Sequence, residues 1–495
     1  MHIANSNTYP FKTTPYAHQS EAWDISKDKD EFALFMEMGT GKTKVAIDSI
    51  AYLYDAGRIQ SALIVAPKGV YMNWIIKEIP AHLPDHVRYQ IASWHAAPRK
   101  AEQEALDSIL KQSDDLRILV MNVEAFSTDR GTKFARLFLD VGGRSIMVVD
   151  ESTTIKNPGA QRTKNVIKVG THAKYRRILT GEPVTRSPLD IYSQAQFLNP
   201  HLLGFSSYYT FRNRYAIMID IKAGNRSFKK ITGFRKLDEL TKSLQSFSYR
   251  VKKADCLDLP AKIYQYRYIE LTKEQKQIYK QVADIAVATL KGKVLTIDNV
   301  LTQILRLHQI TCGHFKSDDG EIIKVPNNRL AELVDVLDEA SDKVIIWATY
   351  VQDIKTIEAK LTEIYGPQSV VSYYGSTSTD DRSDAVKRFQ EDPSVRYFIG
   401  NPSTGGYGIT LTAATTVVYY SNSYNLEHRL QSEDRAHRIG QTKSVNYVDL
   451  TVAGTIDEKI IKALREKKNI AAQVLGEDIT SWLLWKCPRS CFIND

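Results

Sequence analysis

Six short apolar runs, bounded by turn residues and gathered into two clusters, constrain the fold of this chain more than any other feature. Ala62-Leu-Ile-Val-Ala66, Arg117-Ile-Leu-Val-Met121 and Ser145-Ile-Met-Val-Val149 form the first cluster; Lys343-Val-Ile-Ile-Trp347, Val395-Arg-Tyr-Phe-Ile399 and Thr416-Val-Val-Tyr-Tyr420 form the second. Runs without polar alternation are buried on both faces, the condition of strands in a parallel sheet covered by helices. Helical patterning from Thr43 to Tyr54 and from Asp381 to Phe389 supplies that cover. The pattern predicts an α/β protein with two tandem domains, each a parallel sheet flanked by helices. The chain's 495 residues, 43% hydrophobic and 25% charged, suffice for roughly two to four domains.

Between the clusters, residues from about 185 to 325 read as a mostly helical insertion, with Leu271-Thr-Lys-Glu-Gln-Lys-Gln-Ile-Tyr279 as its clearest helix. The expected divisions are 1–184, 185–325, 326–454 and a C-terminal helical tail over 455–495, where Ile456, Ile460, Ile461 and Leu464 share a face. From Lys222 to Lys253 there are ten Lys or Arg against two acids, while the whole chain carries a net charge of +9. Such a segment is either a solvated face or a phosphate-tracking surface, with Lys229 and Lys230 as candidate contacts.

Met36-Glu-Met-Gly-Thr-Gly-Lys-Thr43 follows the apolar Phe32-Ala-Leu-Phe35 and opens a helix, the strand–loop–helix setting that a phosphate-binding loop requires. Gly39, Thr40 and Gly41 can turn backbone N–H groups toward phosphate oxygens. Lys42 supplies charge to the outer phosphates, and the Thr43 hydroxyl can ligate Mg²⁺. Met36 stands where the general pattern has a glycine. The strand ending at Val149 leads into Asp150 and Glu151, and alternation along a strand predicts different directions for the two carboxylates. Asp150 is assigned to the metal and Glu151 to orienting the attacking water. In Gln431-Ser-Glu-Asp-Arg-Ala-His-Arg-Ile-Gly-Gln441, helical spacing would put Arg435 and Arg438 on one face, suited to a triphosphate held by the first domain.

With these elements in place the chain resembles the Swi/Snf-type DNA translocases of helicase superfamily two, from about Tyr16 to Lys459. Pro15-Tyr-Ala-His-Gln19 resembles the family's adenine-reading motif, Met36–Thr43 motif I, and Ala66-Pro-Lys-Gly-Val-Tyr-Met-Asn-Trp74 motif Ia. Val149-Asp-Glu-Ser-Thr153 resembles motif II and Leu179-Thr-Gly-Glu-Pro183 motif III. Tyr249-Arg-Val-Lys-Lys-Ala-Asp255 and Leu259-Pro-Ala-Lys262 look like the family's helical protrusion. Lys343–Trp347 resembles motif IV, Thr404–Ala414 motif V, and Asp434-Arg-Ala-His-Arg-Ile-Gly-Gln441 is close to a family hallmark.

The resemblance implies two RecA-like domains with a helical insertion between them, an ATPase using ATP and Mg²⁺, and movement on double-stranded DNA driven from an interdomain cleft. Gln19 would contact adenine; Lys42, Thr43, Asp150, Glu151, Arg435 and Arg438 would form the hydrolytic site, with Gln431 among the nucleotide-binding residues. Motifs Ia, IV and V would touch the nucleic-acid backbone, with Lys68 and Thr404 as candidate contacts. Two departures stand out: Ser152-Thr153 where relatives have Ala-His or Gly-His, and Glu182 where they have Thr. These positions bear on coupling more than on ATP cleavage. A strand-separating or branch-migrating helicase acting on forked or single-stranded DNA is the alternative, and an ATP-gated clamp that does not travel is the further one. His437 reads as a packing or hydrogen-bonding residue, and Trp74 and Trp347 as core.

The N-terminus lacks the basic and apolar regions of a signal peptide, and no stretch approaches the roughly 18 to 20 apolar residues of a membrane span. Four scattered cysteines make no disulfide framework or zinc site, and Cys487 and Cys491 read as free thiols. The expected setting is intracellular, in a bacterial or host-cell cytoplasm.

Overall fold

The computed structural model describes residues 9–141, 143–223, 226–291, 297–317, 319–375, 377, 379–405 and 409–475. Contacts divide the chain into two compact units. Unit 1 comprises Met1–Ile219, Lys230–Cys256 and Glu466–Asp495; unit 2 comprises Asp220–Lys229 and Leu257–Arg465. The stretch 185–325 is thus shared between them.

Unit 1 is built on β1 (Glu31–Met36), β2 (Ser61–Ala66), β3 (Tyr89–Ser93), β4 (Leu116–Asn122), β5 (Ser145–Asp150) and β6 (Tyr175–Leu179), joined after a hairpin of β7 (Ala216–Ala223) and β8 (Arg226–Phe234) by β9 (Ser248–Val251). Its sheet has the order β3-β4-β2-β5-β6-β1-β9, and every pairing is parallel. Burial on both faces follows from the apolar runs. Phe32, Leu34, Ala62 and Ile64 enter one buried cluster, while Ala33, Phe35, Leu63 and Val65 enter another. Helices such as Lys42–Asp55 and Gln161–Gly170 cover the sheet.

In unit 2, β10 (Lys262–Ile269) precedes a short antiparallel pair, β11 (His314–Lys316) and β12 (Ile322–Lys324), and then β13 (Lys343–Trp347), β14 (Val370–Tyr373), β15 (Tyr397–Gly400), β16 (Ala414–Tyr419) and β17 (Val445–Val452). Its sheet runs β10-β17-β16-β13-β15-β14, again all parallel, with Val344 and Ile346 facing one core and Ile345 and Trp347 the other. The helix Ile456–Val474 buries Ile456, Ile460 and Leu464 against Leu307 and Leu426.

Each of the six apolar runs forms a strand. Residues 185–325 do contain helices, including Lys273–Lys291 and Ile297–Cys312, but strands the sequence pattern did not indicate lie among them. Tyr249-Arg-Val belongs to β9, not to a helix, and Leu259–Lys262 leads into β10. Each supplies a parallel edge strand whose backbone groups are satisfied by β1 or β17. The ten basic residues from 222 to 253 are dispersed accordingly. Lys229 and Lys230 are exposed on β8, whereas Lys253 is buried and Arg250 donates to the carbonyls of Phe35 and Gly181. Cys487 and Cys491 lie outside the described residues.

Candidate active site

In a parallel sheet the carboxyl ends of the strands lie on one edge, and ligand sites gather there. In unit 1 the neighbours β2, β5, β6, β1 and β9 deliver to that edge, in order, Lys68, the pair Asp150–Glu151, the turn Thr180–Pro183, the glycine loop and Lys253. Segments far apart in sequence are adjacent because their strands are.

The glycine loop is shaped by two left-handed glycines, Gly39 at φ 82° and Gly41 at φ 87°, the second capping the helix Lys42–Asp55. Gln19 fixes it from below. Its Oε1 accepts the Tyr16 N–H at 3.0 Å, its Nε2 donates to the Thr40 carbonyl at 3.0 Å, and His18 Nε2 lies 2.8 Å from the same oxygen. A Cβ on Gly41 would stand 2.1 Å from Gln19 Nε2, so the glycine is required by close approach as well as by φ. Thr40 is buried and donates to the Glu37 carbonyl at 2.7 Å; Lys42 is buried and Thr43 half-buried at the helix start. Backbone N–H groups there, with the helix dipole and Lys42, favour an anion.

Asp150 ends β5, with Oδ1 accepting the Glu151 N–H at 2.9 Å and Oδ2 accepting Trp74 Nε1 at 3.0 Å. Burial pushes the Asp150 pKa above the ordinary carboxylate value, while Lys42 and these hydrogen bonds work against that rise. Glu151 lies just past the strand, in the left-handed region at φ 46°. That conformation, rather than the alternation expected from the sequence, sets its direction. Its Oε1 is 3.7 Å from Lys42 Nζ. The chemistry of this set fits Mg²⁺, a hard cation that takes one or two protein oxygens and completes its shell with phosphate and water: Asp150 and the Thr43 hydroxyl are the oxygens on offer.

Trp74, set aside as core on sequence grounds, is buried but also holds the Asp150 carboxylate. It opens a π-helical turn, Trp74–Glu78, in the segment after β2. Its indole N–H was the available signal, since a buried Trp seeks an acceptor. His18 was likewise missed, although it adjoins Gln19. Trp347 is core: Cβ atoms on Gly400 and Gly405 would come within 2.8 Å and 2.7 Å of its ring.

The two departures have partners. Ser152 donates to Gln194 Oε1 at 2.7 Å, and Glu182 lies 3.7 Å from Arg250.

In unit 2 the helix Leu426–Glu433 ends before Arg435, so helical spacing does not bring the two arginines together. A shared acceptor does. Arg435 donates to the carbonyls of Gln431 at 2.8 Å and Ile409 at 3.0 Å, and Arg438 to Ile409 at 3.4 Å and the Thr410 hydroxyl at 2.9 Å. Gln431 itself is buried and lies 3.5 Å from Glu427 Oε1. His437 Nε2 meets the Pro260 carbonyl at 2.7 Å, fastening the string. Of the remaining candidates, Lys68 is exposed after β2, and Thr404 is half-buried in the turn Pro402–Gly405.

Two parallel α/β units, one with a glycine loop beside an acidic pair and the other with paired arginines, define a tandem RecA-like architecture. The SNF2-related domain model matches residues 17–316 and the helicase conserved C-terminal domain model residues 327–440. The chain belongs to the SNF2-related family. It is 29% identical over 457 residues to "Probable ATP-dependent DNA helicase CHR12" of Arabidopsis thaliana, covering 89% of this chain and 39% of that protein. With "Uncharacterized ATP-dependent helicase MG018" of Mycoplasma genitalium it shares 24% identity over 97% of this chain and 44% of the relative. The chain therefore spans less than half the length of these relatives. Among solved structures it is similar to the Sulfolobus solfataricus SWI2/SNF2 ATPase core in complex with dsDNA, at 25% identity and a TM-score of 0.43, covering 97% of this chain and 100% of that one. Among the described residues no helix is long and apolar enough to cross a membrane.

Proposed function

We propose that this protein hydrolyses ATP in response to double-stranded DNA and uses the cycle to move along the duplex, remodelling DNA or protein–DNA complexes. The observation that carries the reading is the meeting of glycine loop and acidic pair at one edge of the sheet, where only β6 separates their strands and Lys42 lies 3.7 Å from Glu151. ATP places its phosphates on the N–H groups of residues 39–43 and on Lys42, while Gln19 supports the loop on the adenine side. Mg²⁺ held by Thr43 and Asp150 would neutralise charge on the outer phosphates. Glu151 orients the attacking water, and Arg435 and Arg438 stabilise charge on the transferring phosphoryl group, an effect of roughly 10³ to 10⁵ in rate where such arginines have been removed. Lys68, Thr404, Lys229 and Lys230 are proposed phosphate contacts on the DNA, three of them ammonium groups suited to salt-sensitive, sequence-independent binding. Such an enzyme works where its nucleic acid is, inside the cell.

The test is steady-state ATPase activity without nucleic acid and with single-stranded DNA, blunt duplex and RNA, alongside displacement of a triplex-forming strand. Duplex stimulation with ATP-dependent displacement supports the proposal. Preference for single strands or RNA supports strand separation instead, stimulation without displacement supports a clamp, and no response to any polymer overturns the motor reading.

A further inference from the structure

The residue after the acidic pair is wired into the fold in a way the family resemblance does not provide. Ser152 and Gln194 are both fully buried. The Ser152 hydroxyl donates to Gln194 Oε1 at 2.7 Å, and Gln194 Nε2 donates to the carbonyls of Pro183 at 2.8 Å and Asp190 at 2.9 Å. Two carbonyl acceptors accept only from the amide NH₂, so Oε1 must face Ser152 and the orientation of the amide is determined. The bridge runs from the residue following Glu151 to the residue following Glu182.

Its far end is equally firm. The Asp190 carboxylate accepts the N–H groups of Thr185 at 3.0 Å and Arg186 at 2.7 Å, and Lys156, just past the short turn Ser152–Ile155, donates to the Thr185 hydroxyl at 2.6 Å. The loop that leaves β6 is thus laced to the turn that leaves β5 at both of that turn's ends. Glu151, at the start of that turn, has the left-handed backbone that a non-glycine residue keeps only where its surroundings impose it.

We propose that Gln194 is a positioning residue for hydrolysis: through Ser152 it holds the backbone of Glu151, and with it the carboxylate that orients water, in register with the loop 180–190. Movement of that loop then reaches Glu151 through one buried amide. The inference rests on the ATPase reading above and names a residue that touches neither nucleotide nor metal.

The experiment compares the full chain with Ser152→Ala, Gln194→Met and their double variant, and with Gln194→Glu, which keeps an acceptor for Ser152 but loses the donors to Pro183 and Asp190. Duplex-stimulated kcat and KM for ATP are measured separately, with affinity for a fluorescent ADP analogue and thermal unfolding as binding and folding controls. Loss of one buried hydrogen-bonded link is expected to lower kcat about tenfold in each single variant, with KM and nucleotide affinity within about twofold, and the double variant no slower than the slower single one. Gln194→Glu is expected to behave as Gln194→Met. Unchanged kcat, a parallel rise in KM, or multiplicative losses in the double variant would overturn the proposal; if Gln194→Met does not fold, Ser152→Ala and Gln194→Glu decide it on the same kcat criterion. A wild-type protein without polymer-stimulated ATPase activity overturns the motor reading and this inference together, whereas a stimulated wild type with unaffected variants overturns the inference alone.

Discussion

Arg177 in unit 1 and Arg329 in unit 2 are both fully buried, and each ties a sheet to the elements packed on it, but they are answered by different acceptors. Arg177, on β6, donates to the carbonyls of Ser26, Lys29, Asp30 and Arg176, and burial pushes its pKa down to about 10. Arg329 donates to the carbonyls of Thr311 and Leu450 and is paired with the Asp457 carboxylate. Burial opposes its charge as well, yet Asp457, with Cys312 and Tyr420 beside it, outweighs this and raises its pKa. Carbonyl dipoles leave a buried guanidinium under strain; a carboxylate makes it a fixed charge whose loss of partner is costly. The same contrast holds for function. Both units place loops at the ends of parallel strands, but the glycine loop and acidic pair belong to unit 1, while unit 2 offers arginines, so the chemistry resides in the loops rather than in the shared architecture.

The sharpest way to separate the two roles is kinetic. Lys42→Ala and Arg438→Ala are each expected to lower the ATPase rate by about 10³-fold. Only Lys42→Ala should also weaken nucleotide binding measured by fluorescence, since Arg438 is proposed to act on the transition state. Equal binding losses would break the division of labour. Next in size, Asp457→Asn leaves Arg329 buried without its carboxylate and is expected to destabilise unit 2 by about 3 to 5 kcal/mol, read as faster hydrogen exchange in Arg329–Glu339.

A third expectation concerns Asp48, buried beside Lys44 at 2.7 Å. Burial raises its pKa to about 6, with Lys44 working against the rise. The folded state therefore holds a proton that the unfolded chain releases near pH 4, so this group's contribution to stability falls as pH rises from about 4 to about 6, by up to about 3 kcal/mol. Denaturant titrations should show that slope in the wild type and not in Asp48→Asn. The smallest effect belongs to Trp74→Phe, which removes one hydrogen bond to the Asp150 carboxylate. An affinity for Mg²⁺–nucleotide lowered about tenfold is expected by calorimetry; an unchanged affinity would return Trp74 to a packing role.

Much of this was legible in the chain because the signals are local. Apolar runs bounded by turns marked the strands, and a glycine loop between a strand and a helix marked the site proposed to take phosphate, since both depend on side chains close in sequence. Other features depend on strands that meet only on folding. Tyr249–Val251 and Lys262–Ile269 are mixed polar and apolar, and they become strands because β1 and β17 present open edges. Arg435 and Arg438 converge through the Ile409 carbonyl, not through helical spacing.

The sequence by itself determined the class of fold, the order of the motifs and the residue types at the proposed triphosphate site, because periodicity and loop chemistry are properties of neighbouring residues. Only the tertiary structure decided that Trp74 holds Asp150, that Gln19 sits where Gly41 can bear no side chain, and that Ser152 reaches Pro183 through Gln194. Those contacts join residues 11 to 76 positions apart, and the strand order of a parallel sheet, which no local pattern encodes, brings the widest of them together.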